Sequence, residues 1–592
     1  MRDMYDVIVA GSGAAGFSTA DWLYSFGIKN ICIVTEGINS GTSRNTGSDK
    51  QTYYKFDMCS DAGDSVMKMA QDFYAGGSMN GSDALIEAAN SARCFMRLVD
   101  LGVPFPTDSF GRYAGYRTDH DNTCRATSAG PLTSKYMTEK LQKKVEQNGT
   151  PILDGYRVVK LIVSDNKCSG VICLTANGFE VIYSKAVILC TGAPAAMYSH
   201  SVYPESQSGA TGLAIEAGAE LSNFQEWQYG IASVKFRWNL SGSYQQVIPR
   251  YYSVSPDGKE TEFLAQNGNC GDIYSKVFLK GYQWPFDSAK TEGSSEIDIL
   301  VFRELEKGNR VFLDYTKNPE GFCFENLSEE AKNYLNETEC LADTPIERLM
   351  KLNPKAVKLY KDNGIDLTCE PLEIRIAAQH NNGGIRTDLN SETSIKNLFA
   401  AGEAAGKFGV YRPGGSALND TQVGGLRAAE YLSRIINSIE EEHPDIELPK
   451  SPVISDNPTL EKYRAEFSLK MSVCAGVLRD YNTLKKLLLE LESLNRNFYS
   501  LVTVADSSRA VDFYSFRLTV LSMISLCRTE LASIKKIGSR GGCICFKDGV
   551  QLGENTEYRK YITVTDNDSI SFEPVDSIPN EKPVFEKLLK GV

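Results

Sequence analysis

Three groups of residues in this chain have types and spacings that could do chemistry. The first is the turn Gly11-Ser12-Gly13-Ala14-Ala15-Gly16, a G-x-G-x-x-G pattern. Gly11 permits a tight turn, Gly13 lets the backbone approach a pyrophosphate, and Gly16 allows a following helix to pack closely on the preceding strand. The N-terminus of that helix offers free N–H groups and a positive dipole end. The second is Glu36, about 20 residues beyond the glycines, where a carboxylate can accept hydrogen bonds from an adenosine ribose. The third is Arg412-Pro-Gly-Gly-Ser416, a cation set just before a helical stretch, with Gly414 and Gly415 allowing close backbone approach to a ligand.

These residues need particular elements to hold them. Tyr5 to Ala10 reads as a strand, a helical pattern continues through Ala20, Trp22 and Leu23, and 30–35 reads as a second strand ending at Glu36. Two later strands are expected to return to the same sheet: 184–190, running into Thr191-Gly192-Ala193, and 397–403, ending in Gly402-Glu403. A two-domain flavoprotein needs such late strands to grip the ribityl and isoalloxazine parts of FAD; a simple NAD dehydrogenase does not. Ser416 to Asn437 has helical spacing and brings Ala417 and Leu418 into its first turn.

Composition narrows the class. The 592 residues carry 63 Lys and Arg against 75 Asp and Glu, a net charge of -12, which disfavours a nucleic-acid partner. No apolar run approaches the roughly 18 to 20 residues of a membrane span, and the first strand leaves no room for a signal peptide. The chain therefore reads as cytoplasmic. Its 15 cysteines form no C-x-x-C pair, and only four histidines are present, so buried reduced thiols and no metal centre are expected.

With these motifs in place, the chain resembles the succinate dehydrogenase and fumarate reductase flavoprotein family, which includes L-aspartate oxidase. Five stretches carry the resemblance: GSGAAG at 11–16, SGTSRNTG at 40–47, QHNNGGIRTD at 379–388, NLFAAGEAAGKFGVYRPGGSALND at 397–420 and GSRGG at 538–542. The resemblance implies an α/β fold: a Rossmann-like FAD-binding domain in two pieces (1–225 and 373–440), an inserted α+β capping domain (226–372), and a C-terminal helical domain with a tail (441–592). The sequence agrees independently. Residues 226–372 turn rich in aromatics, Asn, Gly and charge, with a strand-like run at 246–254 and an amphipathic helix at 297–307. A linker with Pro444, Pro449 and Pro452 follows; Asn457 is placed to cap a helix with Pro458 at its first position, and helical patterns continue to about Leu531.

The resemblance also implies site residues. FAD contacts are expected from the 11–16 turn and Glu36, from Thr42, Ser43, Thr46 and Gly47, from Val158, from Thr191 and Gly192, and from Gly402, Glu403, Gly415, Ser416, Ala417 and Leu418. Covalent-flavin relatives have a Ser-His-Thr triplet, whereas this chain has Ser40-Gly41-Thr42, so its FAD is expected to be noncovalent. The helix starting at Ser416 is expected to point at the pyrimidine edge of the flavin, where its dipole favours the negative charge of the reduced form.

The substrate residues depart from the family. Arg412 matches an arginine that binds substrate carboxylate, and either Gln379 or His380 stands for a family histidine. Two other family histidines fall on Phe408 and Gly230. The proton-donor arginine falls near Ser294, with no arginine before Arg303. Trp227, Tyr229, Phe408 and Tyr411 are expected to line a more aromatic, less cationic cavity. Candidate acids are His380, Tyr411, Tyr229, Arg250 and Tyr251, while His120 and His200 read as structural and Arg540 as an inter-domain anchor. The expected activity is hydride transfer between flavin N5 and a small organic acid or enone, most readily reduction of an activated C=C bond. The alternatives are an amine or hydroxy-acid oxidase and an electron-relay flavoprotein. With no second nucleotide site and no cluster ligands evident, an external electron donor or acceptor is expected, such as an iron–sulfur or ferredoxin-like protein.

Overall fold

The computed structural model describes residues 4–58, 63–113, 115–121 and 123–580. Strand Tyr5–Ala10 sits inside a seven-stranded sheet, parallel to Ile31–Thr35 on one side and to Gly178–Leu189 on the other. Ile152–Asp154 extends one edge, and Leu398–Ala400 returns late in the chain to pair in parallel with Gly178–Leu189. That strand is 12 residues long and serves two layers. Its far end pairs antiparallel with Lys167–Thr175, which pairs in turn with Arg157–Ser164. Helices cover both faces of the parallel part, so Ile31–Thr35 is buried along its whole length, as a doubly covered strand requires.

The helices Ala14–Ser25 and Ser416–Ile435 approach each other closely. A Cβ on Gly425 would stand 2.5 Å from Thr19 Oγ1, and one on Gly16 would stand 1.9 Å from the Gly11 carbonyl oxygen. Interior packing at normal density leaves no room for either added atom.

A second, antiparallel sheet of six strands runs in the order Trp238–Asn239, Trp227–Ser233, Leu372–Asn381, Arg310–Asp314, Arg250–Val254, Glu260–Thr261. Its apolar residues, among them Ile231, Tyr244, Tyr251, Val277, Phe278 and Ile297, form a core of their own. The expected strand at 246–254 begins only at Arg250. Ser243–Gln246 is a helical turn, Ile248 takes a positive φ of 54°, and Pro249 has no N–H for a ladder. Trp227–Ser233 and Leu372–Asn381 pair with a bulge between Gln228 and Tyr229, and Gln228 stands opposite His380. Such a bulge re-aims the side chains on either side of it.

Beyond residue 441 the chain is mostly helical (Leu460–Cys474, Tyr481–Arg496, Ala510–Lys536) and then adds strands. Tyr561–Asp566 pairs with Leu221–Ser222, tying the C-terminal segment back to the first half of the chain. Two expectations change here. The first helix starts at Leu460 with Thr459 before it, not at Pro458, because Thr459 is held by Leu501 O and Thr503. The helix spanning Ser507–Lys536 is long and apolar enough to cross a membrane, contrary to the reading that no such run exists. Two thirds of its most apolar window is buried in the protein, however, with Phe513, Phe516 and Met523 in the main core.

Candidate active site

A cavity of about 690 Å³ opens between the two sheets. At one end it is lined by the turn Gly11 to Ala15, by Glu36 and Val158, and by Arg157, whose Nη1 donates to Glu36 Oε2 at 2.6 Å. Gly11 has φ +114°, and a Cβ there would lie 2.4 Å from Cys190 O, so the tight turn requires glycine. Gly13 brings no side chain to the N-terminus of helix Ala14–Ser25; Ser43 Oγ accepts from Ala14 N–H at 3.2 Å. Further along, Thr42, Ser43, Thr46, Gly47, Thr191 and Gly192 line the wall. Gln207 ties two of these segments together, accepting from Thr42 Oγ1 and donating to Thr191 O at 2.6 Å.

These residues fit FAD. Buried polar atoms on the lining, Thr191 Oγ1, Ser208 Oγ and Arg157 Nε and Nη2, have no partner in the protein. Buried donors without partners are costly, and the phosphates and hydroxyls of a nucleotide would satisfy them. At the other end, the helix Ser416–Ile435 opens on Gly415, which has φ +90° and no side chain to cap the amides; Gly415, Ala417 and Leu418 line the cavity. Three of the expected contacts act from behind the wall instead. Gly16 packs on Gly11, Gly402 (φ +65°) would bring a Cβ to 2.8 Å from Ala15 Cβ, and Ser416 Oγ accepts from Arg412 Nη1 at 3.4 Å.

Arg412, His380 and Glu403 meet on this cavity. Arg412 donates from Nε to Asn382 Oδ1 at 3.2 Å and from Nη2 to Gln228 Oε1 at 2.9 Å. Among the described residues, no carboxylate lies within ion-pair distance of its guanidinium. Desolvation lowers its pKa to about 10, which leaves it charged at neutral pH. His380 is driven well below the usual imidazole range by burial and then by the Arg412 charge, so it is neutral. Asn382 Oδ1 lies 3.1 Å from Nδ1 and also accepts from Arg412; its Nδ2 donates to Gly409 O and Val410 O. Asn382 therefore presents an acceptor, Nδ1 carries the proton, and Nε2 faces 3.7 Å from Glu403 Oε1 with no hydrogen bond. Burial raises Glu403 to about 7, while Tyr203 OH and Asn381 N–H donate to the same carboxylate oxygen. The group here that exchanges a proton near neutrality is thus the carboxyl, not the imidazole.

Several expected residues lie elsewhere, each for a visible reason. Tyr229 OH is shared among Tyr198 OH (2.9 Å), Ala475 O (3.0 Å) and Arg479 Nη2 (3.4 Å), deep in the main core. Trp227 packs edge-on to Tyr198 in the same core. Arg250 spends its charge on Glu260, Glu262 and Asp314, and Tyr251 OH donates to Gln245 Oε1 at 2.6 Å inside the second core. Neither Arg250 nor Tyr251 reaches the cavity. Tyr411 donates to Asp287 Oδ1 at 2.7 Å with its ring against His120; burial first, and then this carboxylate, push the phenol pKa up. Phe408 stacks on Phe73 and lies under the Arg412 guanidinium, 5.9 Å from its ring centre, as a floor. Ser294 is buried and away from the lining. His200 is bonded to Arg375 Nη1 at 2.9 Å, and Arg540 grips Glu226 and Tyr558 O, joining the C-terminal segment to the strand that carries Gln228.

The residues that sequence reasoning missed are Gln228, Tyr203, Gln207 and the aromatic wall Phe278, Tyr282, Trp284 and Tyr334. None belongs to a short motif; they reach the cavity through strand register and chain crossing. Gln228 alone leaves a trace in the sequence, as the residue directly before the candidate Tyr229.

Comparison with known proteins agrees with this geometry. A family model described as an FAD binding domain matches residues 6–418. The chain is 26% identical to the flavoprotein-sized component of the CoM/CoB fumarate reductase of Methanothermobacter marburgensis over 72% of this chain and 71% of that one. It is 23% identical to an L-aspartate oxidase of Clostridium perfringens over 80% of this chain and 99% of that one. The fold of E. coli quinol fumarate reductase FrdA superimposes with a TM-score of 0.72 at 19% identity, covering 98% of both chains. The chain belongs to the FAD-binding flavoprotein family of succinate dehydrogenase, fumarate reductase and L-aspartate oxidase. It is an FAD-dependent oxidoreductase.

Proposed function

We propose that the protein reduces an activated C=C bond of a small organic acid or enone, adding a hydride at one carbon and a proton at the other. Bound FAD supplies the hydride chemistry at N5. One observation carries the reading: Arg412 faces the cavity as a charged guanidinium held only by the neutral groups Asn382, Gln228 and Ser416. A cation shielded from water and without a counter-ion gains most when an anionic or strongly polar substrate oxygen sits on it. Gln228 and Asn382 fix the plane of the guanidinium, and so the direction in which substrate oxygens must lie. The Glu403 carboxyl, raised to about 7, holds a proton beside the site, and the wall from the antiparallel sheet excludes water.

We place the FAD as noncovalent, since Gly41 stands where covalent relatives have histidine. Electrons would come from an external partner, a role that fits a relative named as one component of a multi-chain fumarate reductase. A cytoplasmic location is supported by the free thiols, including the exposed Cys124 and Cys369.

The test is anaerobic. The holoprotein is reduced photochemically and its reoxidation is followed against enoates, enones, ferredoxin-type acceptors and O2. Fast reoxidation by an enoate or enone is expected; reaction with O2 alone would move the assignment to an oxidase, and reaction with the iron–sulfur acceptor alone to an electron relay.

A further inference from the structure

The cavity that Arg412 faces is also bounded by Phe278, Tyr282, Trp284 and Tyr334. Trp284 is placed by a specific vacancy. Gly230, two residues after Gln228 on the same strand, has no side chain, and the indole fills the space: a Cβ on Gly230 would stand 2.6 Å from Trp284 Cζ2 and 2.8 Å from Cη2. The indole is backed by Lys280, whose Nζ lies 5.2 Å from the ring and is pinned by Asp298 at 2.5 Å, both side chains fully buried. Beside it, Gln379 Nε2 donates to Gly230 O at 3.1 Å, which keeps the strand backbone satisfied without help from a ligand.

The hydroxyls of this wall are already engaged. Tyr282 OH donates to Glu330, and Tyr334 OH donates to Gln246 Oε1 at 3.1 Å. What the wall offers a ligand is therefore aromatic surface, and the ammonium behind it is neutralised by Asp298. Two other cations line the cavity, Lys50 and Arg117, but Lys50 lies over the Tyr116 ring at 5.6 Å and Arg117 is exposed.

We propose that the substrate is an enoate carrying a flat aromatic or extended apolar group, with its carboxylate on Arg412 and that group against Trp284. This deepens the reading of the site as an enoate reductase and rests on it. A compact dicarboxylate would leave the aromatic surface wet and its second charge without a buried partner; an aryl monocarboxylate matches both ends. Trp284 is then a specificity-determining residue, and Gly230 a positioning residue that makes room for it.

The experiment measures binding first. The oxidised holoprotein is titrated calorimetrically with 3-phenylpropanoate, succinate and propanoate, in the wild type, in Trp284→Ala and in Trp284→Phe. FAD content and melting temperature are recorded for each variant, so that a folding failure is seen as such. The expected result is that 3-phenylpropanoate binds about ten-fold or more tighter than succinate. Trp284→Ala should lose about that factor for 3-phenylpropanoate alone, with propanoate unchanged and Trp284→Phe in between. Succinate binding as tightly as the aryl acid, no binding of any of the three, or equal weakening of all three in the variants overturns the proposal. Reoxidation of the reduced enzyme by 3-phenylpropenoate and by fumarate separates the two readings. Trp284-dependent aryl binding without turnover removes the reductase reading and keeps the wall; fumarate turnover without aryl binding does the reverse.

Discussion

His380 Nε2 stands 3.7 Å from Glu403 Oε1, and the neutral imidazole and the carboxyl share one buried corner of the cavity with the Arg412 guanidinium. Because burial raises Glu403 to about 7 while Arg412 stays charged, the net charge of that corner changes near neutral pH. Below that pH, Glu403 is protonated and the corner is cationic. Above it, the carboxylate offsets Arg412 and repels an incoming anion. Propanoate binding to the holoprotein is therefore expected to weaken as pH rises through about 7, by at most about ten-fold per unit, and Glu403→Gln should flatten the profile. Calorimetry across the neutral range reads this directly, and a wild-type profile without an inflection would remove Glu403 from the account.

Arg412 is held in one plane by three neutral acceptors on three different segments. Arg412→Ala should lower kcat/KM for the responsive enoate by about 100-fold or more, with FAD still bound. Lysine restores the charge but not the fork of donors, so Arg412→Lys should recover only a small part. Steady-state kinetics normalised to bound flavin check both; unchanged turnover in the alanine variant would take Arg412 out of the substrate site.

The parts of this molecule that are legible in the sequence are those in which a local pattern coincides with a local structure. Gly11 to Gly16 fix a turn by their own backbones, and Arg412 to Gly415 open a helix that needs no side-chain cap. The far wall of the cavity is not legible in the same way. Tyr229 and Trp227 flank Gln228 in sequence, yet alternation along the strand and the bulge at Gln228 send them into the core and Gln228 to the cavity. Arg250 looks available in the sequence because its three carboxylate partners are spread over Glu260, Glu262 and Asp314, which only antiparallel pairing brings together. The aromatic character of the cavity is expected from the sequence, but the residues that provide it come from 278–334, where their spacing carries no recognisable period.

The glycine turn gives a sharp stability prediction. A methyl group on Gly16 would sit 1.9 Å from the Gly11 carbonyl oxygen, and neither backbone can retreat without breaking the turn that faces the cavity. Gly16→Ala should cost about 2–3 kcal/mol and lower FAD occupancy together. A thermal melt with a flavin absorbance spectrum measures both; full FAD occupancy at an unchanged melting temperature would contradict the packing described.

The flavin linkage is tested by denaturation. Gly41 has no nucleophile to offer the flavin, so acid precipitation should leave all of the yellow chromophore in the supernatant as FAD. Flavin retained in the protein pellet would require attachment through another side chain, which tryptic mapping of the fluorescent peptide would locate.

Arg250 separates structural charge from catalytic charge. Its guanidinium is buried, ringed by Glu260, Glu262 and Asp314, and stacked 4.4 Å from the Tyr252 ring. Removing it leaves three carboxylates facing one another with no cation between them. Arg250→Ala should therefore lower stability by about 2–3 kcal/mol, less than for a fully buried pair because Glu260 is largely exposed. The surviving folded enzyme should turn over at the wild-type rate per bound FAD, since Arg250 and its partners stand apart from the cavity lining. Urea unfolding and flavin-normalised kinetics on the same preparation decide it. A variant that melts normally but loses kcat would return Arg250 to the substrate site and place the reacting carbon on the other side of the antiparallel sheet.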